Sequence, residues 1–318
     1  MAYLPGCLRP TTALGLGCAA LSAGTSRRHS IRLIHAANDA GIQHFDVAPP
    51  YGMGTAEDVL GEALKMRRHD VTVATKVGVD RPRHVRAVIA IRSLAAPLRK
   101  LVPRLTRRVG ASAYTGLTAR AKLNAASVEA SLADSLRRLR TDYVDLLLLH
   151  EVTPEELTSE LLLFLETLRQ KGIVRALGTG TSYENTLAIR AKHPTFFDVW
   201  QYSWGVLDID QQSPVGFTIT HRAIQRALAP LSDWLQRDTV RTRRLSDATG
   251  VDLTAGNNLG DVLIGAAIAN NPDGITLVSS RRTSRIDANA RLMSDRTLLS
   301  AGRQLICALA AEPDIVRP

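Results

Sequence analysis

The 318-residue chain is 45% hydrophobic, carries 22 Gly and 14 Pro, and is long enough to bury a large core, as one α/β barrel or two smaller domains. Its formal net charge of +10 would attract nucleic acid, anionic lipid or a phosphorylated ligand, but the Arg excess is spread along the chain without a helix-turn-helix, finger or OB pattern, so no nucleic-acid partner is expected. Cys7, Cys18 and Cys307 lack metal or redox spacing, and no stretch reads as a signal peptide or membrane helix, so the expectation is a cytoplasmic, metal-free protein with Cys18 and Cys307 as core thiols.

The elements alternate between strand and helix. Thr11 to Gly24 reads as a strand entering a Gly-rich loop; its LGLGCAA lacks the spacing of a dinucleotide fingerprint, and Gly15 and Gly17 are expected to admit a close neighbour. A helix from Ser30 to Ala40 ends at Gly41, and the next strand ends at Asp46. Tyr51 follows in a loop before Gly52-Met53-Gly54, and a helix runs from Ala56 to Lys65. Val71 to Thr75 is a strand ending at Lys76. From 80 to 122 the chain is basic, without an acidic residue between Asp80 and Glu129, and is expected to run over the barrel top. A helix over 125–139 shows the stripe Val128, Leu132, Leu136, Leu139, with Asn124 as its cap. YVDLLLLH is a nearly continuous apolar strand ending at His150. Thr153-Pro154 opens a helix to Lys171, and the next strand carries Gly178 and Gly180. A helix over 184–192 precedes a strand ending near Gln201, and another ends near His221. Helices over 223–235 and 259–269, a strand over 274–280, a short helix to Met293 and a last helix over 298–310 complete the chain. Eight strand slots with apolar strands predict a single (β/α)8 TIM barrel over 1–318, with the basic stretch as an excursion.

In such a barrel the C-terminal strand ends carry the chemistry. Asp46, Lys76 and His150 each close a strand, and Tyr51 hangs from a loop beside them. A free phenol titrates near pH 10. A lysine ammonium close to its oxygen favours the phenolate, and a carboxylate holds that lysine charged and in place. The phenol then serves as general acid or base toward a carbonyl or alcohol, and the imidazole adds a hydrogen bond to the same oxygen. With no metal cluster and no poised nucleophile, hydride from a nicotinamide is the matching chemistry. Near the last strand, Ser279, Ser280, Arg281, Arg282 and Arg285 suit a phosphate, and Arg285 suits a ribose 2′-phosphate, favouring NADP(H) with NAD(H) as the alternative.

These residues resemble the aldo-keto reductases, barrels that use NAD(P)(H) without a metal. FDVAPPYGMGTAEDVLGEAL is similar to the family's first signature, and the spacing to ATK and LLLLH fits. The resemblance implies Tyr51 as acid/base, Lys76 tuning it, Asp46 pairing with Lys76 and His150 orienting the substrate. It implies nicotinamide contacts from Gln201 and from Gly180 and Thr181, which replace the family's Ser-Asn pair. His221 falls where an aromatic side chain stacks on the nicotinamide. Ser279 replaces the family's phosphate-site Lys, while Arg285 and Asn289 match, Asn289 on the adenine. The departure at Gly180 and Thr181 is similar to the branch of D-threo-aldose and L-fucose 1-dehydrogenases and pyridoxal-reductase-like enzymes.

The resulting expectation is an oxidoreductase interconverting a small carbonyl or sugar substrate and an alcohol, working as a monomer or weak homo-oligomer, with a pocket built from the 80–122 and Trp200 to Pro214 stretches and Trp204 as either a pocket wall or a core residue. The alternatives are a non-catalytic NADP(H)-binding barrel acting as a regulatory subunit, and an anion-surface protein built around the basic stretch.

Overall fold

The computed structural model describes residues 2–7, 9–21, 25–82, 120, 122–208, 210–211 and 214–312. Its strands are β1 (Leu14–Gly17), β2 (His44–Asp46), β3 (Thr72–Val77), β4 (Val144–His150), β5 (Val174–Gly180), β6 (Val199–Ser203), β7 (Phe217–His221) and β8 (Ile275–Val278). They pair in parallel in chain order, and β8 returns to β1, closing the barrel. The helices between and after them are α1 (Arg27–Asp39), α2 (Ala56–Ala63), α3 (Ala125–Leu139), α4 (Ser159–Gln170), α5 (Tyr183–Lys192), α6 (Ala223–Gln236), α7 (Thr239–Thr249), α8 (Asn258–Asn270), α9 (Thr283–Leu292) and α10 (Arg296–Ala310).

Side chains alternate along a strand, and this sorts the barrel into an inside and an outside. On β4, Leu146 and Leu148 pack inward with Ala74, Ala176, Val199, Ile219, Ile275 and Leu277. Leu147 and Leu149 pack outward among the helices, with Phe45, Val73, Leu177 and Trp200. Carrying the inward parity to the C-terminal end of each strand lands on Asp46, Lys76, His150, Gly180, Gln201 and His221, and on Ser279 one residue past β8. The ionisable groups are therefore the top layer of the barrel filling, and the parity that makes the strands apolar inside also delivers these groups to the mouth. The register places His150 beside Gly180 and Gly180 beside Gln201.

The opposite end is sealed. Ala2 and Leu4 plug the interior, held by an antiparallel bridge between Ala2 and Thr11. Buried Asp145, at the start of β4, accepts from Arg68 at 2.8 Å, Arg175 at 2.7 Å and the Val73 N–H at 2.9 Å. The two guanidiniums lie 4.1 and 4.0 Å from the ring centroid of Tyr143, a doubled cation–π contact. Gly15 admits a close neighbour, as expected: a Cβ there would lie 2.8 Å from His44 Cδ2 and 2.7 Å from Leu277 Cδ2.

His44 is fully buried, with Nδ1 2.9 Å from Thr72 Oγ1, and burial pushes its imidazole down to about 4 against the opposing pull of Asp46. The unfolded chain then takes up a proton that the folded chain refuses, so this contribution is complete above pH 6.5 and is lost as pH falls toward 4. At 1.36 kcal/mol per unit it amounts to about 3 kcal/mol. Thermal unfolding followed from pH 7.5 to 4.5 should show a falling Tm, and His44→Asn should flatten part of that fall.

Several helix expectations shift. The helix placed directly after Thr153-Pro154 is a 3-10 turn, Pro154–Glu156, with a Thr153/Glu156 capping box; α4 starts afresh at Ser159, capped by Thr158. Helix α3 has the expected Asn124 cap, completed by Ser127 as a capping box. Helix α7 occupies a stretch read as merely polar and Arg-rich, because it buries only Leu245 and Thr249 and shows no apolar stripe. Cys18 is buried, but Cys307 is exposed: the inner face of α10 is Ala301, Gly302, Leu305 and Leu309, and Cys307 falls off it. Of the basic excursion, residues 83–119 and 121 lie outside the described residues; at its margins Val79 and Arg120 form an antiparallel bridge.

Candidate active site

A cavity of about 1940 Å³ opens over the C-terminal strand ends. Asp46, Tyr51, His150, Gly180, Thr181, Gln201, His221, Ser279, Ser280, Arg281, Arg285 and Asn289 all line it. Lys76 lies beneath, 1% exposed. Trp204, left open between wall and core, is 2% exposed in the core around Tyr202, Ala227 and Trp234; from that stretch Gln201 and Ser203 face the cavity.

The centre is a buried triad. Lys76 Nζ donates to Asp46 Oδ2 at 2.5 Å and to Gln201 Oε1 at 2.6 Å, and Gln201 Nε2 donates to Asp46 Oδ2 at 2.8 Å. Gln201, expected on a nicotinamide, is thus engaged by the ion pair. Gly180 makes room for it: a Cβ there would lie 3.1 Å from Gln201 Oε1. Burial alone would raise the Asp46 carboxyl, but the charge and hydrogen bond of Lys76, with that of Gln201, hold it below its ordinary value. Burial lowers the Lys76 ammonium from its ordinary range, with Asp46 and, more weakly, Glu151 opposing. The Tyr51 ring centroid is 6.0 Å from Lys76 Nζ and 6.2 Å from the His150 ring, which meets it edge-on at 87°. Burial and then the Lys76 charge press His150 down to about 3 and His221 to about 4, so both imidazoles are neutral at physiological pH.

A second network fixes the tyrosine loop. Glu57 on α2 is fully buried and accepts from Thr75 Oγ1 at 2.8 Å and Arg81 Nη2 at 2.5 Å. Arg81 also donates to the Gly54 carbonyl. The turn Tyr51–Gly54 is thereby tied to β3 at the residue before Lys76. In the sequence Glu57 reads only as a helix-start carboxylate, and nothing local marks Arg81 as its partner.

Backbone strain gathers at the same rim. Met53, Glu151 and Arg222 adopt left-handed φ of 58°, 55° and 66°, and all three line the cavity just after Tyr51, His150 and His221. Side chains are rarely held there except where the surroundings enforce it.

The outer cavity is rich in open donors. Helices α1, α3, α4, α5, α7 and α10 have a side-chain cap on a backbone N–H, whereas α2, α6, α8 and α9 have none. Of the uncapped four, the N-cap residues of α6, α8 and α9, namely Arg222, Asn257 and Arg282, line the cavity. Uncapped N-termini with basic neighbours favour an anion. Ser279 Oγ donates to the Gly17 carbonyl at 2.6 Å, and Thr181 Oγ1 to the Val152 carbonyl at 2.9 Å, so both hydroxyls are already engaged by backbone. Arg285 is paired with Asp261 of α8. Asn289 is 2% exposed, and its Oδ1 is buried without a hydrogen-bond partner. A buried acceptor left open on a cavity wall fits a donor from a bound group. Among the described residues no cluster of three or more His, Cys, Asp or Glu could hold a metal, and no helix is long and apolar enough to cross a membrane.

A closed parallel barrel with ionisable groups gathered at its C-terminal mouth is the architecture of a barrel enzyme. The chain belongs to the aldo/keto reductase family, whose model matches residues 13–216. It is 28% identical over 174 residues to the uncharacterised oxidoreductase YqkF of Bacillus subtilis, covering 55% of this chain and 46% of that protein. It is 34% identical over 162 residues to a D-threo-aldose 1-dehydrogenase of a Pseudomonas species, covering 49% and 44%. The chain thus spans about half the length of the curated relatives it matches. Its fold is similar to that of an aldo-keto reductase of Klebsiella pneumoniae solved in complex with NADPH, with a TM-score of 0.62, 18% identity and coverage of 99% and 97%.

Proposed function

We propose that the protein interconverts a carbonyl compound and an alcohol, with NADP(H) as hydride partner and Tyr51 as general acid/base. The observation that carries this reading is the phenol of Tyr51 set over the buried Lys76–Asp46 pair with neutral His150 at its edge. When bound, the nicotinamide supplies or accepts the hydride. In the reducing direction Tyr51 gives its proton to the carbonyl oxygen, and the Lys76 ammonium stabilises the phenolate left behind. Asp46 and Gln201 hold Lys76 in place, and His150 orients the carbonyl through a hydrogen bond. The bare helix starts at Arg222 and Arg282 suit the diphosphate, and the open Asn289 Oδ1 suits an adenine amino group. D-threo-aldose 1-dehydrogenase among the relatives supports a sugar or small hydroxyaldehyde as substrate.

Fluorescence titration with NADPH and NADH, followed by a carbonyl and aldose panel using the tighter cofactor, tests the reading. Binding of neither nucleotide, or binding without turnover across the panel, would overturn it. Arg285→Ala should weaken NADPH by roughly 10- to 100-fold, the worth of a charged hydrogen bond, and leave NADH within about threefold. Equal losses for both would place Arg285 away from the 2′-phosphate.

A further inference from the structure

We infer that Glu151 is a specificity-determining residue whose carboxylate selects neutral, hydroxylated carbonyl substrates and turns away anionic ones. The inference rests on the carbonyl–alcohol chemistry proposed above and adds the kind of molecule that enters the site.

Four observations converge on this side chain. Glu151 follows His150 directly and lines the cavity. Its φ of 55° is a conformation that glycine adopts freely and a side-chain-bearing residue rarely does, yet the chain places a carboxylate there. Its backbone is pinned on both sides: the N–H donates to the Gly180 carbonyl at 2.8 Å, and the carbonyl accepts from the Arg120 guanidinium. The residue itself is exposed, and its carboxylate has no hydrogen bond or ion pair among the described residues, whereas the neighbouring Glu156 is paired with Arg120. The result is a pinned backbone at the cavity wall that carries an acceptor-only group, one residue from the imidazole that would hold the substrate carbonyl.

The chemistry of such a group is narrow. An ionised carboxylate accepts hydroxyl protons strongly, and an α- or β-hydroxyl on a substrate anchored at His150 is the nearest donor a small molecule can bring. A substrate carboxylate or phosphate in the same place meets like charge. An unsubstituted aldehyde gains nothing from it. Glu151 therefore separates substrates chiefly by what stands next to the carbonyl, its weak pull on the Lys76 ammonium being common to all of them.

The test uses three small substrates with saturating nicotinamide cofactor: D-glyceraldehyde, propanal and glyoxylate. Variants E151Q and E151G remove the charge and the side chain respectively, and glycine relieves the backbone, which keeps the second variant folded. Expected are a fall in kcat/KM of about tenfold or more on glyceraldehyde in both variants, no change beyond about twofold on propanal, and a gain on glyoxylate. Parallel losses on glyceraldehyde and propanal, or no change on either, would overturn the role of Glu151 while leaving the oxidoreductase reading in place. A wild-type protein that binds nucleotide and reduces none of the three would overturn both.

Discussion

Replacing Tyr51 with phenylalanine should lower turnover by about 10²- to 10⁴-fold, the usual worth of a positioned general acid, with nucleotide affinity unchanged. The substitution removes one oxygen and keeps the ring that meets His150 edge-on at 6.2 Å, so the packing of the rim survives. The turn Tyr51–Gly54 is held by Arg81 on the Gly54 carbonyl. A single-turnover experiment from preloaded NADPH separates chemistry from product release. If the phenylalanine variant kept the wild-type rate in that assay, the phenol would have no part in the proton transfer.

Asp46→Asn should be the most damaging change to the fold. It leaves the Lys76 ammonium, 1% exposed, without the carboxylate to which it donates, facing the neutral Gln201 and the new amide. Breaking a buried pair from one side costs about 3–5 kcal/mol, against about 5–15 kcal/mol for a whole domain. The sign with pH follows from the carboxyl being held below its ordinary value of 3.8. Its stabilisation is present above the unfolded value and is lost as pH falls through the lower folded one. Urea unfolding should therefore separate wild type from variant widely at pH 7, and the gap should begin to narrow only as pH falls below the ordinary carboxyl value of 3.8. The double variant Asp46→Asn with Lys76→Met removes both charges; it should recover much of the lost stability and none of the activity. Equal stability of Asp46→Asn and wild type at pH 7 would show that the pair is not what holds Lys76 inside.

Those two residues were legible in the chain because a strand of period two ending in a charged residue has only one sensible place to put it. β2 and β4 end that way, at Asp46 and His150, and β3 carries Lys76 one residue before its end at Val77. What the chain concealed was pairing between distant positions. Gln201 reads as a polar strand end, and only barrel closure brings it 2.6 Å from Lys76, 125 residues away. The Glu57–Arg81 and Asp261–Arg285 pairs are hidden for the same reason: each partner alone is an ordinary charged residue on a helix or loop. Helix α7 was missed because its face is almost wholly polar, and Trp204 stayed open between core and pocket because an aromatic near a strand end fits either. The bare starts of α6 and α9 left no signal, since the residue types that announce a helix are the caps that these two lack.

The left-handed residues at Met53, Glu151 and Arg222 bear on how such a protein can change over time. Each stands within two residues of a rim group, so the segments that follow Glu151 and Arg222 begin at the mouth itself. Exchange of those two segments would reshape what the mouth admits and leave Asp46, Tyr51 and Lys76 where other elements hold them. On the proposed chemistry, substrate range and proton transfer are thereby separable by inheritance.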